Sequence, residues 1–116
     1  MTIRRIEPGK RMSQASVHGN TVYLAGQVAD DTAQDVAGQT RQVLAQIDKL
    51  LKEAGTDKSR ILFAQIVLAD IKTFADMNSV WDNWVAPGNT PARATIEAKL
   101  VAPEYKIEII VTAAIG

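Results

Sequence analysis

The stretch NTPARATIEAKL, residues 89–100, decides how the second half of the chain is read. From Arg93 it alternates. One side carries Arg93, Thr95, Glu97 and Lys99, and the other carries Ala94, Ile96, Ala98 and Leu100. A period of two with one polar and one apolar side is the pattern of a β-strand. The segment YKIEIIVTAA, residues 105–114, repeats it and sets Lys106, Glu108 and Thr112 against Ile107, Ile109, Val111 and Ala113. A guanidinium and a carboxylate therefore stand on two strands that are otherwise apolar.

Upstream, the pattern changes period twice. Residues 2–7 and 12–18 read as short strands joined by the turn EPGK. Gly19-Asn20 is a tight-turn dipeptide before Thr21–Leu24, which predicts a hairpin, and Gly26-Gln27 then breaks the strand. From about Thr32 to Ala54 the period is helical: Val36, Val43, Leu44, Ile47, Leu50 and Leu51 share one stripe, and Gly55 marks the stop. RILFAQIVLAD, residues 60–70, is short, apolar and β-branched, as a central strand is. Thr73 and Asp76 resemble a capping box before a second helical stripe of Phe74, Met77, Val80, Trp81, Trp84 and Val85. Pro87-Gly88 ends that helix. The predicted order is β-β-β-α-β-α-β-β, an α+β fold in which two helices cover one face of a mixed sheet and leave the other open.

Bulk composition narrows the chemistry. At 116 residues and 47% hydrophobic content the chain predicts one domain, residues 1–116, with a real core. Thirteen basic and thirteen acidic residues cancel, which gives no general attraction to nucleic acid or anionic membrane. The local cluster Arg4, Arg5, Lys10 and Arg11 is too small, and the aromatic content too low, to change that reading. There is no cysteine and one histidine, His18, so neither a thiol nucleophile nor a zinc site built from His and Cys is expected. No apolar run approaches the ~20 residues of a membrane span, and the N-terminus lacks a signal-peptide core, so a soluble cytoplasmic protein is expected.

If the last two strands form a simple hairpin with Leu100 opposite Tyr105, then Arg93 sits opposite Thr112 and Glu97 opposite Glu108. Arg93 and Glu108 are then about four residues apart, roughly 13 Å. They make no ion pair within one chain, and the facing glutamates repel. A second copy packed on the open sheet face is the natural way to bring one chain's Arg93 near another's Glu108.

Four elements in fixed order carry a family resemblance: GQ at 26–27, MN at 77–78, PARAT at 91–95 and KIEI at 106–109. Together they resemble the Rid family, the reactive intermediate deaminases, over nearly the whole chain. The likeness is closer to an outlying bacterial branch than to archetypal RidA enzymes. The resemblance implies a chorismate mutase-like fold whose open face lines a homotrimeric barrel, with clefts between subunits. It implies cofactor-independent hydrolysis of reactive 2-imino acids and enamines, such as 2-aminoacrylate and 2-iminopropionate, to 2-oxo acids and ammonia. It implies that Arg93 binds the substrate carboxylate and that Glu108 lies near the imine and its water. Thr95 and Gly26 would line the same cleft, and Asn78 would touch it. Archetypal members have cysteine where this chain has Thr95, tyrosine near Met12 and serine at Ala25.

The chemistry suits the residues. A planar guanidinium matches a carboxylate bidentately, and a glutamate can manage the protons of imine hydrolysis with neither a metal nor a covalent nucleophile. Trp81 and Trp84 read as core, and His18 as an exposed turn residue. The competing function is non-catalytic binding of small carboxylates such as 2-oxo acids, which Arg93 would serve equally. Chorismate mutase activity rests on fold analogy alone.

Overall fold

The computed structural model describes residues 2–116. Six strands and two helices follow the predicted order: β1 (Ile3–Pro8), β2 (Ser13–His18), β3 (Thr21–Leu24), α1 (Val36–Ala54), β4 (Ile61–Leu68), α2 (Phe74–Trp84), β5 (Ala92–Glu97) and β6 (Ile107–Ala114). They form one mixed sheet in the order β1-β2-β3-β6-β4-β5. Consecutive antiparallel strands β1, β2 and β3 are joined by short turns. Helix α2 connects β4 to β5, and these two strands pair in parallel, as a helical crossover requires. Helix α1 carries the chain from β3 to β4 and leaves a gap between them, which β6 fills antiparallel to both.

Local chemistry sets the helix ends. The Asp35 carboxylate accepts the Gly38 N–H at 2.9 Å and caps α1, which therefore begins at Val36 rather than at Thr32. The residues before it form a turn in which Asp31 accepts the Ala33 N–H. Gly55, with φ 86°, closes α1, its N–H donating to the Lys52 carbonyl while Thr56 N–H donates to Leu51. The expected capping box of Thr73 and Asp76 does not form. The Thr73 hydroxyl donates to the Asp70 carbonyl at 2.6 Å, because a short 3-10 turn over Ile71–Thr73, capped by Asp70, precedes α2.

Both helices lie on one face. The core gathers Val22 and Leu24, the α1 stripe Val43, Leu44, Ile47 and Leu51, then Ala64, Ile66 and Leu68, Met77 and Trp81, and Ile107, Ile109, Val111 and Ala113. The opposite face is bare and apolar. Tyr23, Phe63 and Ile96 are 53%, 42% and 43% exposed there.

The hairpin expected between the last two strands is absent, because β4 lies between β5 and β6. The parallel register pairs Ala64 with Arg93, Ile66 with Thr95 and Leu68 with Glu97, so the polar side of β5 looks toward the helices. Glu97 and Glu108 do not face each other. The Glu97 carboxylate instead accepts the Ile71 N–H at 2.9 Å, at the entrance to α2.

Candidate functional site

Two clusters contain the residues singled out in the sequence. The first sits at the β5 edge of the sheet, beneath α2. Arg93 projects from β5 and donates from Nη1 to Asn78 Oδ1 at 2.8 Å. Its Cζ lies 5.3 Å from the Trp81 ring centroid and 5.7 Å from that of Phe74. Phe74, Asn78 and Trp81 recur at i, i+4 and i+7 of α2 and so share one helix flank. All three partners of the guanidinium are neutral. Thr95, two residues along on the same side of β5, has a hydroxyl buried without a hydrogen-bond partner. A half-buried cation with only neutral partners, beside an orphaned hydroxyl, is suited to an anion from outside the chain.

The second cluster sits on the bare face. Glu108 shares a row with Val67 across β6 and β4, the side opposite to Ile107 and Ile109. Gln27 pairs with Ile109 through two backbone hydrogen bonds, which seats Gly26 directly against the Glu108 side chain. A Cβ on Gly26 would lie 1.9 Å from Glu108 Oε2 and 2.8 Å from its Cδ. The absence of a side chain at position 26 is what makes room for the carboxylate.

The fold thus brings Arg93, Asn78 and Thr95 together, and separately Gly26 and Glu108. It does not bring the two sets together within one chain. Glu108 pairs with Val67 and Val67 with Ile96, three residues along β5 from Arg93. That offset is ~10 Å along the sheet, with two strand spacings across it and the sheet itself between the side chains. Trp81 and Phe74 were missed as site residues. The sequence reading assigned both to a core stripe, but their flank meets the edge strand that carries Arg93. Met12 is 51% exposed and His18 is exposed at the β2–β3 turn. Among the described residues, no group of three His, Cys, Asp or Glu side chains is arranged to hold a metal ion, and no helix is long and apolar enough to cross a membrane.

Comparison with known proteins gives the family and the fold. The sequence matches the family described as endoribonuclease L-PSP across residues 2–115. A RutC family protein from Haemophilus influenzae is 51% identical over 114 residues, covering 97% of this chain and 98% of the relative. A YjgF family protein of known structure from Neisseria meningitidis superposes with a TM-score of 0.97 at 45% identity, covering 100% of this chain and 97% of that one. A 2-iminobutanoate/2-iminopropanoate deaminase from Rattus norvegicus is 31% identical over 103 residues, covering 84% of this chain and 74% of the relative. The chain belongs to the endoribonuclease L-PSP family, the YjgF/RidA group that the GQ, MN, PARAT and KIEI segments resemble.

Proposed function

We propose that this protein is a cofactor-independent deaminase that hydrolyses small 2-imino acids to 2-oxo acids and ammonia, at a site assembled from two copies of the chain. The observation that carries the reading is Arg93. It is a half-buried guanidinium whose hydrogen-bond partner is the neutral Asn78, flanked by the unpartnered Thr95 hydroxyl. A carboxylate supplies the two parallel acceptors that such a fork matches. The family includes a relative named as an imine deaminase, which points to an imino group on the carbon beside that carboxylate.

Glu108 supplies the proton chemistry. Water adds to the carbon of the protonated imine while Glu108 takes its proton, which gives a neutral carbinolamine. Glu108 passes that proton to the amino nitrogen and then accepts the hydroxyl proton as the carbonyl forms, the carbon–nitrogen bond breaks and ammonia leaves. A 2-oxo acid remains. An enamine such as 2-aminoacrylate first takes a proton on carbon to become the imine. Each step needs a positioned acid–base group and a held carboxylate.

A second copy supplies the missing proximity. Arg93, Asn78 and Thr95 lie at the sheet edge, and Gly26 and Glu108 lie on the bare face. Packing the edge of one copy on the face of the next joins the two sets and buries Tyr23, Phe63 and Ile96. A closed ring of three satisfies every copy equally. Light scattering at micromolar protein should therefore give about three times the 12.6 kDa of the chain. Phe63→Asp should shift the mass to that of a single copy, with the circular dichroism of the fold retained and turnover lost.

The direct test generates imino acids with an amino-acid oxidase in the presence of semicarbazide, which traps the imine. Hydrolysis competes with trapping, so an active protein slows semicarbazone formation. A rate equal to that without protein, combined with measurable pyruvate binding, would replace the deaminase by a carboxylate-binding protein.

A further inference from the structure

We propose that Trp81 is a positioning residue for Arg93, holding the guanidinium plane ready for the incoming carboxylate. The proposal rests on the reading of Arg93 as the carboxylate-binding group and deepens it. Trp81 is 5% exposed and packs in the core, so its bland role is filling space. Its geometry says more. The Arg93 Cζ lies over its ring at 5.3 Å, within the range in which the negative face of an aromatic ring attracts a cation.

The ring is itself braced. Trp84 packs against Trp81 with centroids 5.4 Å apart and planes at 51°. Trp84 is tied to α1 by its indole N–H, which donates to Asp48 Oδ2 at 2.9 Å. Lys58 Nζ lies 5.2 Å from the Trp84 ring centroid. Arg93 therefore lies over a Trp81 ring that Trp84 ties to α1, with Phe74 5.7 Å away and Asn78 gripping one Nη.

The choice of neutral supports matters. A carboxylate partner would orient Arg93 equally well but would occupy the charge that the substrate needs. A ring face and an amide orient it and leave the charge uncompensated. An arginine left unsupported must lose side-chain freedom at the moment of binding, which weakens affinity and leaves the chemical step alone. Loss of the ring face should then raise KM and the pyruvate Kd by about 3- to 30-fold with kcat nearly unchanged.

The test compares Trp81→Phe and Trp81→Leu, with a fluorinated tryptophan series placed at position 81 alone by codon suppression, so that Trp84 is kept. Fluorination weakens the negative ring face with almost no change in volume, so it keeps the fold and does not disturb simple packing. Two readouts are used: pyruvate Kd by calorimetry, and the Arg93 Nε–H resonance by NMR in the absence of ligand. The expected result is a stepwise rise in Kd with fluorination. Trp81→Phe should keep a shifted, restricted Arg93 signal, and Trp81→Leu should leave it averaged. An unchanged Kd across the fluorinated series with an unmoved Arg93 signal overturns the proposal. So does a Trp81→Phe protein as impaired as Trp81→Leu. If the unmodified protein binds no carboxylate, the reading of Arg93 falls, and the resonance alone still decides whether Trp81 orders it.

Discussion

Glu108→Gln should reduce imine turnover by about 10²–10⁴-fold, the usual contribution of one acid–base group, while pyruvate binding stays within about threefold of normal. Glutamine preserves size and can accept a hydrogen bond, but it cannot carry the proton from water to nitrogen. Arg93→Ala should give the opposite signature. It removes charge-assisted hydrogen bonds to the substrate, each worth about 1.5–3 kcal/mol, so KM should rise by at least tenfold. Steady-state kinetics of both variants, with alanine- and leucine-derived imines, checks the division of labour. Full turnover in Glu108→Gln removes that residue from the mechanism. A Glu108→Gln protein that loses pyruvate binding as well would make the glutamate a structural part of the pocket.

Gly26→Ala should retain the fold and lose about 10²-fold in turnover. The reasoning is geometric. The new Cβ would meet Glu108 Oε2 at 1.9 Å and Cγ at 3.1 Å. The atoms in conflict belong to the end of a flexible side chain, so the carboxylate swings aside and the backbone stays in place. The stability cost is then modest, within the ordinary range of about 0.5–3 kcal/mol for a point substitution. A catalytic group displaced by an ångström or more can forfeit ~10²-fold in rate. Because the effect acts through Glu108, adding Gly26→Ala to Glu108→Gln should cost little further activity. Thermal unfolding and kinetics of the two single variants and the double variant measure this. Additive losses would mean that Gly26 acts independently, for example by admitting substrate.

Much of the fold is legible in the chain because local signals and tertiary packing agree. The α1 stripe and the alternation of Ile107, Ile109, Val111 and Ala113 match what the structure buries, and Gly19-Asn20 forms the exposed turn between β2 and β3. The last two strands are where the reading fails. Alternation in β5 gives two sides but not which one meets the helices. The usual rule assigns the apolar side to the core, and here the Ala94 and Ile96 side joins a second apolar surface with Phe63. A sheet with two apolar faces removes the information that fixes an edge strand's facing. Pairing fails for a related reason. Short sequence separation favours a β5–β6 hairpin, but the α2 crossover places β5 beside β4, and β6 is needed to fill the gap between β3 and β4.

The candidate site is proposed from the same segments: PARAT holds Arg93, KIEI holds Glu108, and GQ holds the glycine that packs against the Glu108 side chain. Trp81 was hidden because a tryptophan at helical spacing reads as core, and it is indeed buried. Only the position of β5 reveals that one ring face meets a cation. The expected capping role of Thr73 was lost to Asp70, whose 3-10 turn intervenes before α2.

The central claim is that one copy's Arg93 works with another copy's Glu108. It is tested most directly by mixing Arg93→Ala and Glu108→Gln subunits, unfolding and refolding them together, and assaying imine hydrolysis. In a closed ring with random equal mixing, about one site in four joins an intact Arg93 to an intact Glu108, although neither parent has any such site. Assayed at substrate well below the raised KM of Arg93→Ala, where both parents are nearly inactive, an intersubunit site predicts recovery of about a quarter of the wild-type rate. Co-refolded mixtures that stay at the parents' level, with ring formation shown by mass, would contradict it.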